Sequence, residues 1–131
     1  MVKDSATSPA TGSCLCGAVR YTISGPLRSI LVCHCAMCRR AMSSVAAFTA
    51  CAPGNIRIEG TKLRWYQSSP IARRGFCAQC GSSLFWEPAH GAHLSVSAGS
   101  LDDPSRLTIS EHIFVAEDTS PMRALAPGAA G

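Results

Sequence analysis

Seven of the eight cysteines in this 131-residue chain fall into three compact groups whose spacing suits metal coordination. The groups are Cys14 and Cys16, then Cys33, Cys35 and Cys38, and finally Cys77 and Cys80. Zinc prefers four ligands in a tetrahedron, and cysteine thiolates are its usual partners in structural sites. The chain therefore carries enough sulfur for one complete zinc site and for most of a second.

The first and last groups can together form a closed four-cysteine site. In Cys77-Ala-Gln-Cys80-Gly81 two sulfurs reach one ion from a tight turn, and the glycine allows the left-handed backbone that this turn needs. Cys14 and Cys16 are two positions apart, so on an extended segment both side chains point to the same face. Because this site would join segments about sixty residues apart, we expect it to be structural.

The middle group offers three sulfurs, which is the number of protein ligands that typically leaves one position of a catalytic zinc open for water or substrate. At that position zinc can polarise a carbonyl, bind a thiolate or lower the pKa of a water. A closed structural site is the alternative, and an iron–sulfur cluster could use similar ligands. The fourth ligand of a closed site could be His34, His90, His93, His112 or Cys51.

Two of these residues have simpler interpretations. His34 stands between Cys33 and Cys35, so on an extended segment its side chain points away from theirs. This orientation is typical of a residue that supports metal ligands from behind or lies at the surface. Cys51 ends an apolar run at 45–50, which predicts a small buried hydrophobic residue. The sequence does not rank the candidate proton carriers, which are His34, His93, Asp102 and His112.

Two arginine pairs flank the cysteine groups. Arg39-Arg40 follows the middle group, and Arg73-Arg74 precedes the last group. A guanidinium there could bind a substrate carboxylate in bidentate fashion, or it could offset thiolate charge or face solvent. The formal charge of +4 falls to about +1 once seven thiolates and two zinc ions are counted. Neither pair is part of a longer run of basic residues. A nucleic-acid partner is therefore not expected.

Short β-strands are expected to position the cysteines. Apolar residues alternate at 19–23, 56–58, 94–98 and 107–109, and Gly, Pro, Asn and Asp turn signals recur between these stretches. Only residues 36–43 are typical of a helix, of about two turns. The pattern predicts one all-β domain built as a small twisted sheet or sandwich.

The ends of the chain and its compartment follow from composition. Residues 1–11 and 124–131 show no periodicity, so both ends are expected to fray. The first residues contain no apolar signal region, and no run approaches the ~18 apolar residues of a membrane span. We therefore expect a cytoplasmic protein without a membrane partner, in which clustered thiols bind metal rather than form disulfides.

Several stretches, in order, resemble the glutathione-dependent formaldehyde-activating enzyme (GFA) family. The matching stretches are 12–21, 33–40, 68–70, 74–82, 98–103 and 112–115. The resemblance spans about residues 12–115, which makes it far more specific than a single Cys-x-x-Cys pair. It implies a GFA-like zinc domain at 12–115, with a lead at 1–11 and a tail at 116–131.

The resemblance also implies a fold, two metals and an activity. The fold is the β-tent, short twisted sheets stapled by zinc. The structural zinc would be held by Cys14, Cys16, Cys77 and Cys80, and the catalytic zinc by Cys33, Cys35 and Cys38. The family reaction joins formaldehyde to glutathione as S-hydroxymethylglutathione, a carbon–sulfur lyase reaction in its reverse sense. The implied partner is thus a small thiol such as glutathione, with no oligomeric state implied.

Two other functions are compatible with such a chain. One is a non-catalytic, zinc-stabilised binding module, because the family extends to a centromere-associated eukaryotic protein. The other is a redox enzyme similar to methionine sulfoxide reductases, for which Cys51 is the spare cysteine.

The chain also departs from the family after 112–115, where members commonly continue with a lysine and a tryptophan-containing segment. Here Ala116-Glu117-Asp118 follows instead, so a full glutathione cleft is not implied.

Overall fold

The computed structural model describes residues 9–128, which hold ten β-strands and a single α-helix. The elements are β1 (Ala10–Ser13), β2 (Arg20–Ile23), β3 (Ile30–Cys33), α1 (Ala36–Met42), β4 (Ala46–Cys51), β5 (Ile56–Glu59), β6 (Leu63–Ser69), β7 (Ala72–Cys77), β8 (Ser83–Pro88), β9 (Leu94–Ser97) and β10 (Ile109–Ile113). The prediction of an all-β fold is confirmed. Among these residues no helix has both the length and the apolar character that a membrane crossing requires.

The strands form two sheets. A three-stranded sheet has the order β1-β2-β5, and a seven-stranded sheet has the order β10-β3-β4-β9-β8-β7-β6. All described pairings are antiparallel except that of β10 with β3, which is parallel. The chain thus returns at its end to cover the edge of the strand that leads into the cysteine triplet.

The seven-stranded sheet has two faces with different neighbours, because paired residues share a face and successive residues alternate. The face that we call the inner face carries Phe85 and Val96, which belong to the main core together with Tyr21 of the small sheet. The Tyr21 and Phe85 rings lie 5.6 Å apart, edge to face. The opposite, outer face carries Cys33, beside its partner Ala46. The triplet therefore lies on the far side of the sheet from the main core.

Helix α1 begins within the triplet. The thiol of Cys35 caps its first turn by accepting a hydrogen bond from the amide of Cys38 at 3.3 Å. Ser43 ends the helix in the left-handed conformation, with φ of 71°. The helix predicted at 36–43 is confirmed, except that its final residue is the cap.

The two ends pack more closely than their composition indicated. Strand β1 begins at Ala10, within the predicted lead, while residues 1–8 lie outside the described part of the chain. After β10, Asp118 is only 5% exposed, and a 3-10 turn at Pro121–Leu125 precedes the buried Ala126. The expectation of a fraying end therefore fails for 124–128, because this segment folds back on the sheet; residues 129–131 are not described.

Candidate metal centres

The outer cysteine groups meet at one end of the sheets. Cys14 directly follows β1 and Cys77 ends β7, while Cys16 and Cys80 lie in the turns that follow. The four sulfurs all lie within 4.8 Å of one another. The Cys14 and Cys16 sulfurs are 3.7 Å apart, and those of Cys16 and Cys77 are 3.9 Å apart. A tetrahedral zinc with bonds of about 2.3 Å spaces its sulfurs by about 3.8 Å, so this donor set fits zinc.

The backbone of both turns supports this arrangement. Gly17 follows Cys16 and Gly81 follows Cys80, and each glycine has φ of 81°, a region that side chains disfavour. The left-handed turn predicted at Gly81 is therefore present. The two turns place two sulfurs each on the same point, as a four-ligand site requires.

Hydrogen bonds favour the thiolate form of Cys14 and Cys80, whereas burial and the neighbouring Cys80 and Cys14 raise the pKa of Cys16. The amide of Val19 donates to the Cys14 sulfur at 3.3 Å. The Ser82 hydroxyl lies 3.2 Å from the Cys80 sulfur, and its hydrogen bond, aided by neighbouring amides, lowers the pKa of Cys80 to about 5. Because zinc binds cysteine as thiolate, these donors prepare the site for metal.

The middle group forms a second sulfur cluster on the outer face. Cys33 ends β3, Cys35 caps α1 and Cys38 lies in its first turn, and their sulfurs lie within 4.8 Å of one another. Cys33 and Cys38 are buried, whereas Cys35 is half-buried. Within residues 9–128 no histidine, carboxylate or further cysteine joins these three ligands. The cluster thus fits a metal held by three protein ligands.

One arginine contacts the triplet. The Arg74 guanidinium Nη2 lies 3.6 Å from the Cys38 sulfur. The hydrogen bond from Cys33, together with this guanidinium, lowers the pKa of Cys38 to about 5. The same sharing of a proton with Cys38, added to burial, raises the pKa of Cys33. Cys38 is therefore the cysteine of the triplet that loses its proton most readily, and it lies beside the positive charge of Arg74.

The other three arginines of the two pairs do not contact these sulfurs in the described structure. Arg73 points to the inner face, where its Nε donates to Glu87 at 2.6 Å and its guanidinium lies 4.1 Å from the centre of the Trp65 ring. Arg39 is half-buried and Arg40 is exposed on α1. Of these four arginines in the described structure, Arg74 is thus the one whose positive charge contacts a sulfur of the two clusters.

His34 lies behind the triplet in a buried chain of hydrogen bonds. Its Nδ1 is 2.8 Å from the Asp118 carboxylate, and its Nε2 is 2.9 Å from His112 Nδ1. Ser120 donates both its amide and its hydroxyl to Asp118, which, together with His34, lowers the pKa of Asp118 to about 2. An ionised Asp118 can only accept, so His34 Nδ1 donates the hydrogen bond between them; in the neutral imidazole, Nε2 would then accept from His112 Nδ1. Sequence reasoning considered both histidines but missed Asp118.

Two cavities border these groups. The larger, of about 940 Å³, lies between β10, the inner face and the C-terminal segment, and His112 lines it. The smaller, of about 590 Å³, is lined by Cys14 and Leu15 near the four-cysteine cluster and by Met42 at the end of α1. Met42 also packs against the cluster of buried residues that contains Cys33 and Cys38, so one side chain is shared by this cavity and that cluster.

The order of the motifs and both sulfur clusters agree with a comparison to known families. Residues 9–117 match the family described as glutathione-dependent formaldehyde-activating enzyme. The chain belongs to this family. An uncharacterized lyase from Schizosaccharomyces pombe is 31% identical over 80 residues, which span 61% of this chain and 58% of that relative. A crystal structure of a Rhodobacter sphaeroides protein is 25% identical, with a TM-score of 0.61, and the match covers 78% of this chain and 98% of that one.

The remaining candidates of this GFA chain lie away from the triplet. Asp102 is exposed and accepts a hydrogen bond from Thr11, while His93 lines a third cavity with Arg73 and Glu87. Cys51 is 4% exposed in the main core, and this burial raises its pKa to about 11. A buried thiol with a raised pKa is unreactive, which argues against the redox enzyme.

Proposed function

We propose that this GFA protein is a zinc-dependent carbon–sulfur lyase that acts on a small thiol adduct of the S-hydroxymethylglutathione type. The observation that carries the proposal is the triplet, in which three sulfurs share one position and no fourth protein ligand joins them among the described residues. Family membership and the lyase name of the yeast relative support the reaction class. The closed four-cysteine cluster is assigned the structural zinc.

The reaction needs only polar rearrangement. In cleavage, the adduct loses its hydroxyl proton, a carbon–oxygen double bond forms, and the electron pair of the carbon–sulfur bond leaves with sulfur as thiolate. Cys33, Cys35 and Cys38 would hold a zinc ion, which would supply Lewis acidity toward the aldehyde oxygen or the sulfur. Arg74 reaches the same cluster from β7. The adduct would approach from the smaller cavity, which Met42 at the end of α1 lines.

The state of the cysteines fits a reducing compartment. All eight are free thiols, and two groups have metal-ligand geometry rather than disulfide pairing. We therefore place the protein in the cytoplasm, where glutathione-type thiols are abundant. Its proposed partner is a small thiol, without nucleic acid or membrane.

The test is the rate of exchange between free formaldehyde and S-hydroxymethylglutathione, measured by magnetisation-transfer NMR with the zinc-loaded protein. The parent should accelerate exchange, and a Cys33→Ser/Cys35→Ser/Cys38→Ser variant should return it to the buffer rate. Cys51→Ala is the matched control, because it removes a cysteine outside both clusters and should leave the rate unchanged. If the parent matches buffer while holding two zinc ions, this substrate is wrong.

A zinc-stabilised binding module is the second candidate. Its supporting observation is that Ile109 and Leu125 are 58% and 57% exposed while both line the larger cavity. Such apolar surface is typical of an interaction site. This candidate predicts that exchange stays at the buffer rate with every small thiol tried, and that substituting the triplet leaves partner binding intact.

A further inference from the structure

Arg74 occupies a defined place on the outer face beside the triplet. Its direct cross-strand partners are Tyr66 on β6 and Trp86 on β8. Trp86 packs against the cluster that contains Cys33 and Cys38, and Arg74 itself reaches the Cys38 sulfur. Arg74 thus lies next to Trp86 in the sheet, and its guanidinium contacts one sulfur of the triplet.

The hydrogen bonding of Arg74 is incomplete. Its Nε is buried and has no acceptor. No carboxylate pairs with it in the described part of the chain, whereas the neighbouring Arg73 is bound to Glu87. A buried donor without a partner costs free energy, and native structures keep few of them. The positive charge of Arg74 therefore faces the triplet rather than a structural ion pair.

The charge balance of the two clusters differs because of this contact. Three thiolates with a zinc dication carry a net charge of −1, and the guanidinium beside them brings the total to zero. The four-cysteine cluster with zinc carries −2, and its described side-chain donors, Gln79 and Ser82, are neutral. A thiolate approaching the triplet is an anion, so a net negative site would repel it.

We propose that Arg74 is the specificity-determining residue that makes the triplet accept an anionic thiol substrate. This inference rests on the proposed function, since it assumes that the triplet keeps a position for a ligand. Arg74 compensates the residual negative charge of the metal-bound thiolates, so the site no longer repels one further anion. Neutral ligands of similar size do not depend on it.

The test uses protein loaded with cobalt(II), whose visible spectrum reports each added ligand at the triplet. Glutathione and, separately, neutral imidazole are titrated into the parent, Arg74→Gln and Arg73→Gln. Arg74→Gln should weaken glutathione binding by about ten- to hundredfold, as expected for loss of one positive charge close to the bound anion. Imidazole affinity should stay within about twofold, and Arg73→Gln should match the parent with both ligands.

Arg74→Lys keeps the charge, so its glutathione affinity should exceed that of Arg74→Gln by at least about threefold. If Arg74→Gln holds less cobalt than the parent, Arg74→Lys replaces it in the comparison. Equal glutathione affinity in the parent, Arg74→Gln and Arg74→Lys overturns the inference but leaves the proposed function intact. A parent whose spectrum responds to neither ligand overturns the proposed function itself, and equal loss of both ligands in Arg74→Gln shows a structural role instead.

Discussion

Removing two ligands of the four-cysteine cluster should destabilise the whole domain. The informative variant is Cys16→Ala/Cys80→Ala, because Cys16 is exposed and Cys80 half-buried, so little core packing is lost. A zinc ion shared by Cys16 and Cys77 would close a segment of 61 residues. The chain entropy that such a cross-link removes from the unfolded state corresponds to about 4 kcal/mol. This is a large part of the ~5–15 kcal/mol that typically stabilises a domain.

Urea unfolding of the zinc-loaded protein measures this loss directly. The double variant should unfold with about 4 kcal/mol less free energy than the parent, and adding a zinc chelator should bring the parent close to the variant. Leu15→Ala is the control, because Leu15 lies between Cys14 and Cys16 but is 89% exposed, so its loss should change stability by less than about 0.5 kcal/mol. A double variant as stable as the parent in zinc would refute the cross-link.

Three further substitutions test separate parts of the structure. Cys51→Ala should cost about 1 kcal/mol in urea unfolding and leave zinc content unchanged, whereas lost zinc would make Cys51 a ligand. Gly12→Ala should cost about 1–3 kcal/mol, because the added carbon meets the Tyr21 ring, and an unchanged midpoint would contradict that contact. Asp118→Asn should lower stability near neutral pH, since ionised Asp118 binds His34. Because folding lowers this pKa from 3.8 to about 2, the gain is present above about pH 4 and should fade toward pH 2; a difference from Asp118→Asn that does not shrink on acidification would refute it.

The local parts of the fold and of the candidate site were readable from the sequence. The grouping of cysteines depends on spacings of two or three residues, which fix side-chain direction on a strand or turn, and the helix at 36–43 follows directly from the triplet. Strands β2, β5 and β9 alternate cleanly between apolar and polar residues. Their prediction is confirmed, although Ala98 belongs to the following 3-10 turn and β10 begins only at Ile109.

Other features depend on contacts between distant segments. Strand β7 has the sequence Ala-Arg-Arg-Gly-Phe-Cys, in which apolar and polar residues do not alternate. Its inward position at Gly75 carries no side chain, because the Trp65 and Phe85 rings pack against the backbone there. The register of β7 alone decides that Arg74 faces the triplet while Arg73 faces inward. Asp118 could not be assigned to His34, because 84 residues separate them and the chain must first return along β3.

The central claim is that the chain holds two separable zinc ions, one in a closed cluster and one at an open triplet. Elemental analysis of anaerobically purified parent and of the Cys33→Ser/Cys35→Ser/Cys38→Ser variant tests it most directly. The account predicts close to two zinc ions per parent chain and close to one per variant chain, with the variant still folded. A parent that holds a single zinc, retained in full by the variant, would contradict it.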